Sequence, residues 1–206
     1  MGFGGESLRV NGALFNFGGT NVKESLGCFT VDGKIYKSKL EDYEKNYEGC
    51  YYPSFVYYGD GKSSIMKFEK VSDFEKEAEK SNWIISGAQG IVVDGKIISK
   101  ADKRYWHTTH TGVIDQAGMW SSKRARTFMG IRNDGSFVFI VTEEEPGLTT
   151  IEGGPLMYDL GCVNAMSFDG GGSSKMYLNS IGGYVCGGNS GRKIGSVFHV
   201  VSGKEK

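Results

Sequence analysis

"TIEGGPLMYDLGCVNAMSFDGGGSS", residues 150–174, decides how the rest of the chain is read. Leu156, Met157 and Leu160 fit one apolar helical face, and Gly161 fits a C-terminal cap, so 150–160 reads as a helix. Residues 164–168 then read as a strand, and Asp169 follows it directly. A hairpin turn needs one or two glycines, whereas here three stand in a row before Ser173 and Ser174. Such a run leaves bare backbone whose N–H groups can come close to something else. It is either a flexible hairpin end or a ligand-facing loop. It is not a Walker loop, because Lys175 does not follow a GxxxxG frame and no helix starts there.

Outward from this segment the chain is punctuated by Asp32-Gly33, Asp60-Gly61, Asp94-Gly95 and Asp134-Gly135, each between β-prone runs such as "FMGIRNDGSFVFIV" (128–141). Asp-Gly in that setting is a hairpin signal. A second helix is expected in "VSDFEKEAEKSNW" (71–83), where Ser72 and Glu75 have capping-box spacing and Phe74 and Ala78 recur at helical spacing. The expected class is α+β: a mixed, largely antiparallel sheet with a few packed helices, as one domain over 1–206.

Composition narrows the function. Hydrophobic residues make up 39% and aromatics 13%, which supports a folded core. With 32 glycines and only 3 prolines, the glycines belong to tight turns rather than linkers. A formal net charge of zero argues against a nucleic acid polymer or a membrane surface as partner, while leaving room for a local basic pocket. No apolar run is long enough for a bilayer, and the first residues lack the pattern of a secretory signal, so a cytoplasmic location is the default expectation. Oligomer formation is left open.

Cys28, Cys50, Cys162 and Cys186 show no CxxC spacing, so zinc is not indicated. Free thiols are the default reading, with a disulfide the alternative for an exported chain. His107 and His110 in "WHTTHTG" lack a third ligand and read as part of a polar loop. No metal and no cofactor is expected.

Four segments occur in a telling order: "RVNGALFNFGG" (9–19), "IISGAQGIVVDGK" (84–96), "RARTFMGIRNDGS" (124–136) and "LMYDLGCVNAMSFDGGGSSKMY" (156–177). Together they resemble the phosphodiester glycosidase family. The last is the most specific, in its Leu-Gly-Cys-x-Asn-Ala-x-x-x-Asp-Gly-Gly-Gly-Ser-Ser pattern. The chain departs from the family at Ala13, where a second glycine is usual, at Gly87-Ala88-Gln89, where Gly-Gly-Pro is usual, and at Ala125, where proline is usual.

The resemblance implies hydrolysis between a sugar anomeric carbon and a phosphodiester, releasing sugar and phosphomonoester. The partner would be a small-molecule or glycan phosphodiester. The alternative is a non-catalytic module that captures a phosphosugar or nucleotide-like ligand in the same cleft. A guanidinium offers a planar fork to phosphate oxygens, so Arg126 is the expected clamp, with the Thr127 hydroxyl beside it. An oxocarbenium-like centre calls for a carboxylate, assigned to Asp169, whose other reading is a cap on the glycine turn. Glu152 is the expected second carboxylate, or else a first-turn helix residue. Asn11, Gly12, Ser86 and Gly87, with Gly170, Gly171, Gly172, Ser173 and Ser174, are expected to line the cleft.

Overall fold

The computed structural model describes residues 7–13, 15–18, 21–25, 29–31, 34–35, 53–68, 70–99, 121–188 and 191–201. Two five-stranded sheets form its centre. One has the order β5 (Lys34–Ile35), β4 (Phe29–Val31), β8 (Trp83–Ser86), β6 (Pro53–Gly59), β7 (Lys62–Lys67). The other runs β10 (Lys96–Ile97), β9 (Gln89–Val93), β13 (Cys162–Ser167), β11 (Thr127–Arg132), β12 (Phe137–Val141). A four-stranded sheet joins β15 (Gly183–Gly187), β14 (Lys175–Leu178), β1 (Ser7–Asn11) and β16 (Val197–Val201), and β2 (Phe15–Gly18) pairs with β3 (Asn21–Ser25). Every strand pairing among the described residues is antiparallel.

Alternation along the strands builds the layers. Phe55 and Ile85 meet Met129, Ile131 and Met166 between the two large sheets, and Val10 and Phe198 close this core from the third. Phe198 is its hub, with ring centroids 5.0 Å from Trp83, 5.4 Å from Phe168, 5.5 Å from Phe139 and 5.6 Å from Phe55. On the opposite faces, Val56 and Ile84 pack on Phe74 and Ala78 of helix α1 (Val71–Ala78). Phe128, Ile91 and Ala165 likewise pack on Met157 of helix α2 (Thr150–Asp159). Neither helix is long and apolar enough to cross a membrane.

The hairpin signals are structural. Asp60 and Gly61 (φ 51° and 74°) and Asp94 and Gly95 (φ 48° and 71°) are paired left-handed positions that match the twist of the flanking strands. At Asp134 the carboxylate accepts from the Ser136 backbone N–H at 2.9 Å and its hydroxyl at 2.6 Å, and Gly135 takes φ 82°. The Asp32-Gly33 turn lies outside the described residues, although the strands on either side of it pair. Cys28, Cys50, His107 and His110 also lie outside them. Cys162 is a free buried thiol and Cys186 a free, half-buried one.

The helix starts differ from expectation. Helix α1 begins one residue before Ser72, with Lys70 at its N-cap and no side-chain cap, because burial of Val71 draws that residue into the first turn. The capping box belongs to α2, where Thr149 and Glu152 bond reciprocally. Gly153 lets α2 lie close on the sheet, since a β-carbon there would stand 2.5 Å from the Phe128 ring.

Candidate active site

The end of β13 is stitched to two other parts of the chain, the start of β11 and the end of β1. Phe168 N donates to Thr127 O at 2.8 Å, Asp169 N to Gly12 O at 3.1 Å, and Gly171 N to Ala125 O at 2.7 Å. Gly12 N in turn donates to Ser196 O at 3.0 Å. The Asn11 amide donates to Asp169 O at 2.7 Å, and its oxygen accepts from Thr127 Oγ1 at 2.7 Å and Lys175 N at 2.9 Å. After Asp169 the three glycines enter a short 3-10 turn, Gly171–Ser173, with Gly171 in the left-handed region at φ 58°.

This convergence leaves a pocket of about 250 Å³ lined by Ser122, Arg124, Arg126, Glu144, Asp169 and the three glycines. Arg126 is only 5% exposed. Its Nε donates to Leu148 O at 3.0 Å and its Nη2 to Ser122 O at 2.7 Å, which fixes the guanidinium plane. Nη1 lies against Gly170, where a β-carbon would stand 3.1 Å from it, so the bare residue gives the guanidinium its place. Arg124 pairs with Glu144 at 3.3 Å, and the other Glu144 oxygen accepts from Ala125 N at 2.9 Å.

Electrostatically the pocket is tense. Burial pushes the Asp169 carboxyl above the ordinary aspartate range, although the Ser173 hydroxyl, Arg192, the Gly170 N–H and Arg126 each pull it down. Burial also lowers the Arg126 pKa, with Glu144 opposing. The Ser173 hydroxyl sits near enough to favour ionised Asp169, yet its fully buried Oγ has no partner at hydrogen-bond geometry among the described residues. Ser174 Oγ is likewise buried with no partner among them.

The structure thus brings Asp169, Arg126, Gly170, Gly171 and Gly172 together and puts other expected residues elsewhere. Asn11 and Thr127 stand behind the pocket, their polar side-chain atoms joined to the protein. Ser86 is buried with its hydroxyl 2.9 Å from that of Ser54. Gly12 packs against Ile85 and Ser196, and Gly87 against Met166 and Ser167. Glu152 is spent on the helix cap: Oε2 accepts from Thr149 N at 2.7 Å and Oγ1 at 2.9 Å, and Lys123 lies 3.9 Å from Oε1. Thr149 holds its carboxyl below the ordinary glutamate range. The second carboxylate lining the pocket is Glu144 instead. Sequence reading missed Glu144, Arg124 and Ser122; the acidic run 143–145 and the basic run 123–126 were the available signals.

The departures from the family pattern gain a physical reading. Ala125 N bonds Glu144, and Gln89 N bonds Ser167 Oγ at 3.2 Å, two donors that proline lacks. Gln89 Oε1 also accepts from Ser167 Oγ at 2.6 Å, two residues before Asp169.

Fold and pocket together define an α+β protein with a carboxyl- and guanidinium-bearing site on glycine backbone. The sequence profile of the phosphodiester glycosidase family matches residues 4–201, and the chain belongs to that family. Among solved structures it is similar to the catalytic domain of zebrafish N-acetylglucosamine-1-phosphodiester alpha-N-acetylglucosaminidase, auto-inhibited by its pro-peptide, with a TM-score of 0.71 at 18% identity. That match covers 96% of this chain, which spans 63% of the zebrafish one. A hypothetical protein from Synechocystis matches at 11% identity and a TM-score of 0.47, over 94% of this chain and 51% of the other. No curated protein matches the chain significantly.

Proposed function

We infer that the chain is a hydrolase that cleaves a sugar 1-phosphodiester at the bond between the anomeric carbon and oxygen, releasing sugar and phosphomonoester. One observation carries this reading: the half-buried Asp169 carboxyl and the buried Arg126 guanidinium face the same glycine-lined pocket. Arg126 takes the phosphate oxygens, its plane already set by Leu148 and Ser122, so little ordering remains to be done on binding.

The leaving phosphate is a weak base and departs with the electron pair of the broken C–O bond. Positive charge grows at the anomeric carbon, where ionised Asp169 stabilises it and takes a proton from the attacking water. A raised pKa makes Asp169 the stronger base once ionised. Glu144, held by Arg124 and Ala125 N, is the second carboxylate of the reaction in place of Glu152. The test is incubation with a panel of sugar 1-phosphodiesters, with mass detection of both products. Arg126→Ala should weaken binding and turnover, and Asp169→Asn should lower kcat with a smaller effect on KM. Tight binding without turnover across the panel would leave a capture module instead.

A further inference from the structure

Beyond the glycine turn lies a second pocket of about 210 Å³, lined by Glu143, Lys175, Tyr184, Val185, Cys186, Gly187 and Gly188. It shares a wall with the first. Gly188 packs on Gly171 and Gly172 so closely that a β-carbon would overlap them, and Glu143 adjoins Glu144 of the first pocket. Gly187 N donates to Glu143 Oε2 at 3.3 Å, and Gly188 N to Ser174 O at 2.8 Å, which closes that wall.

One lining residue, Tyr184, ends a row of side chains set by strand register. Arg9 on β1 pairs with Tyr177 on β14, and Tyr177 with Tyr184 on β15. The Arg9 guanidinium stands 5.5 Å over the Tyr177 ring, the two tyrosines meet edge to face at 5.6 Å, and the Lys175 ammonium lies 5.8 Å over Tyr184. Tyr184 is 58% exposed, whereas Lys175 is only 5% exposed and its ammonium donates to Arg192 O. The Arg192 charge acts on both Lys175 and Asp169.

Tyr184, an exposed ring beside the Lys175 ammonium, and half-buried Tyr177 under Arg9 suit a sugar ring that carries an acid. Ring C–H groups pack on tyrosine, and the acid is drawn to Lys175 and Arg9. Glu143 is the carboxylate lining this pocket, and it opposes the same anion. We propose that this pocket and its Arg9–Tyr177–Tyr184 row bind a carboxylate-bearing sugar as the leaving-group side of the substrate. Assignment to the leaving-group side rests on the hydrolytic reading; the binding chemistry stands without it.

The test is calorimetric titration of the whole chain with glucuronate, glucose and inorganic phosphate. Glucuronate should bind about tenfold tighter than glucose, the margin of one charge-assisted contact, and tighter than phosphate. Tyr184→Ala should abolish that binding with no change in melting temperature. Lys175→Met should erase the preference for acid, and Glu143→Gln should tighten binding. Equal binding of glucose and glucuronate overturns the proposal. So does full binding in Tyr184→Ala, or phosphate binding as tightly as glucuronate. If the pattern holds while no phosphodiester is turned over, the hydrolytic reading fails and the acidic-sugar site remains.

Discussion

The Asn11 side-chain amide donates to the backbone carbonyl of Asp169 at 2.7 Å, joining residues 158 apart in sequence. With Thr127 and Lys175 on its oxygen, one side chain fixes where the carboxyl-bearing turn leaves β13. Asn11→Ala therefore breaks three bonds at a buried site and should cost about 2 kcal/mol or more in urea unfolding. In the fraction that folds, kcat should fall while KM changes little, since Asn11 positions the carboxyl and does not line the pocket.

The environment of Asp169 makes a stability prediction of definite sign. Its pKa is raised on folding, so the native state holds the proton more tightly than the unfolded chain. Stability is therefore lost as pH rises from the ordinary aspartate value through the folded value, and the loss is constant above that. Asp169→Asn removes the penalty. Thermal melts should show the variant more stable than wild type at neutral pH, with the gap closing in acid below the ordinary value. A variant less stable at neutral pH would mean that the partners of Asp169 outweigh its burial.

Glu144 and Glu152 are separated by their partners. Glu152→Ala should lower the melting temperature slightly, through loss of half of a helix capping box, and leave turnover intact. Glu144→Gln should slow turnover, because its carboxylate lines the pocket and orders Arg124. The check is kcat and melting temperature on both variants.

Gly170 and Gly171 are bare for different reasons. A β-carbon at Gly170 crowds Arg126 Nη1 and Ala125 O, so Gly170→Ala should raise KM for a phosphodiester. At Gly171 the space is open, but φ is 58°, and a branched side chain strains that conformation. Gly171→Val should cost about 1–3 kcal/mol and disturb the pocket floor. Activity kinetics beside thermal melts separate the two effects.

Much of this was legible in the chain. Asp-Gly pairs place hairpins because few other dipeptides tolerate two left-handed positions, and Asp60-Gly61 and Asp94-Gly95 occupy them. Asp169 beside three glycines marked the turn, and Arg126 lay within a recognisable motif. What sequence spacing does not carry is direction. Asn11 and Thr127 are polar residues at strand ends, and nothing in their order says that they bond each other behind the pocket. Glu152 was ambiguous until Thr149 was seen to hold both ends of the cap. Glu144 reaches the site only because β12 returns antiparallel to β11, a pairing that brings Thr142 Oγ1 to Arg126 N.

The most direct measurement is hydrolysis in ¹⁸O-labelled water. Products of a sugar 1-phosphodiester turned over by the wild-type chain would be weighed by mass spectrometry. Attack at the anomeric carbon, with Asp169 beside it and Arg126 on the phosphate, predicts label in the released sugar and an unlabelled phosphomonoester. Label in the phosphomonoester would place the break at phosphorus and contradict the account.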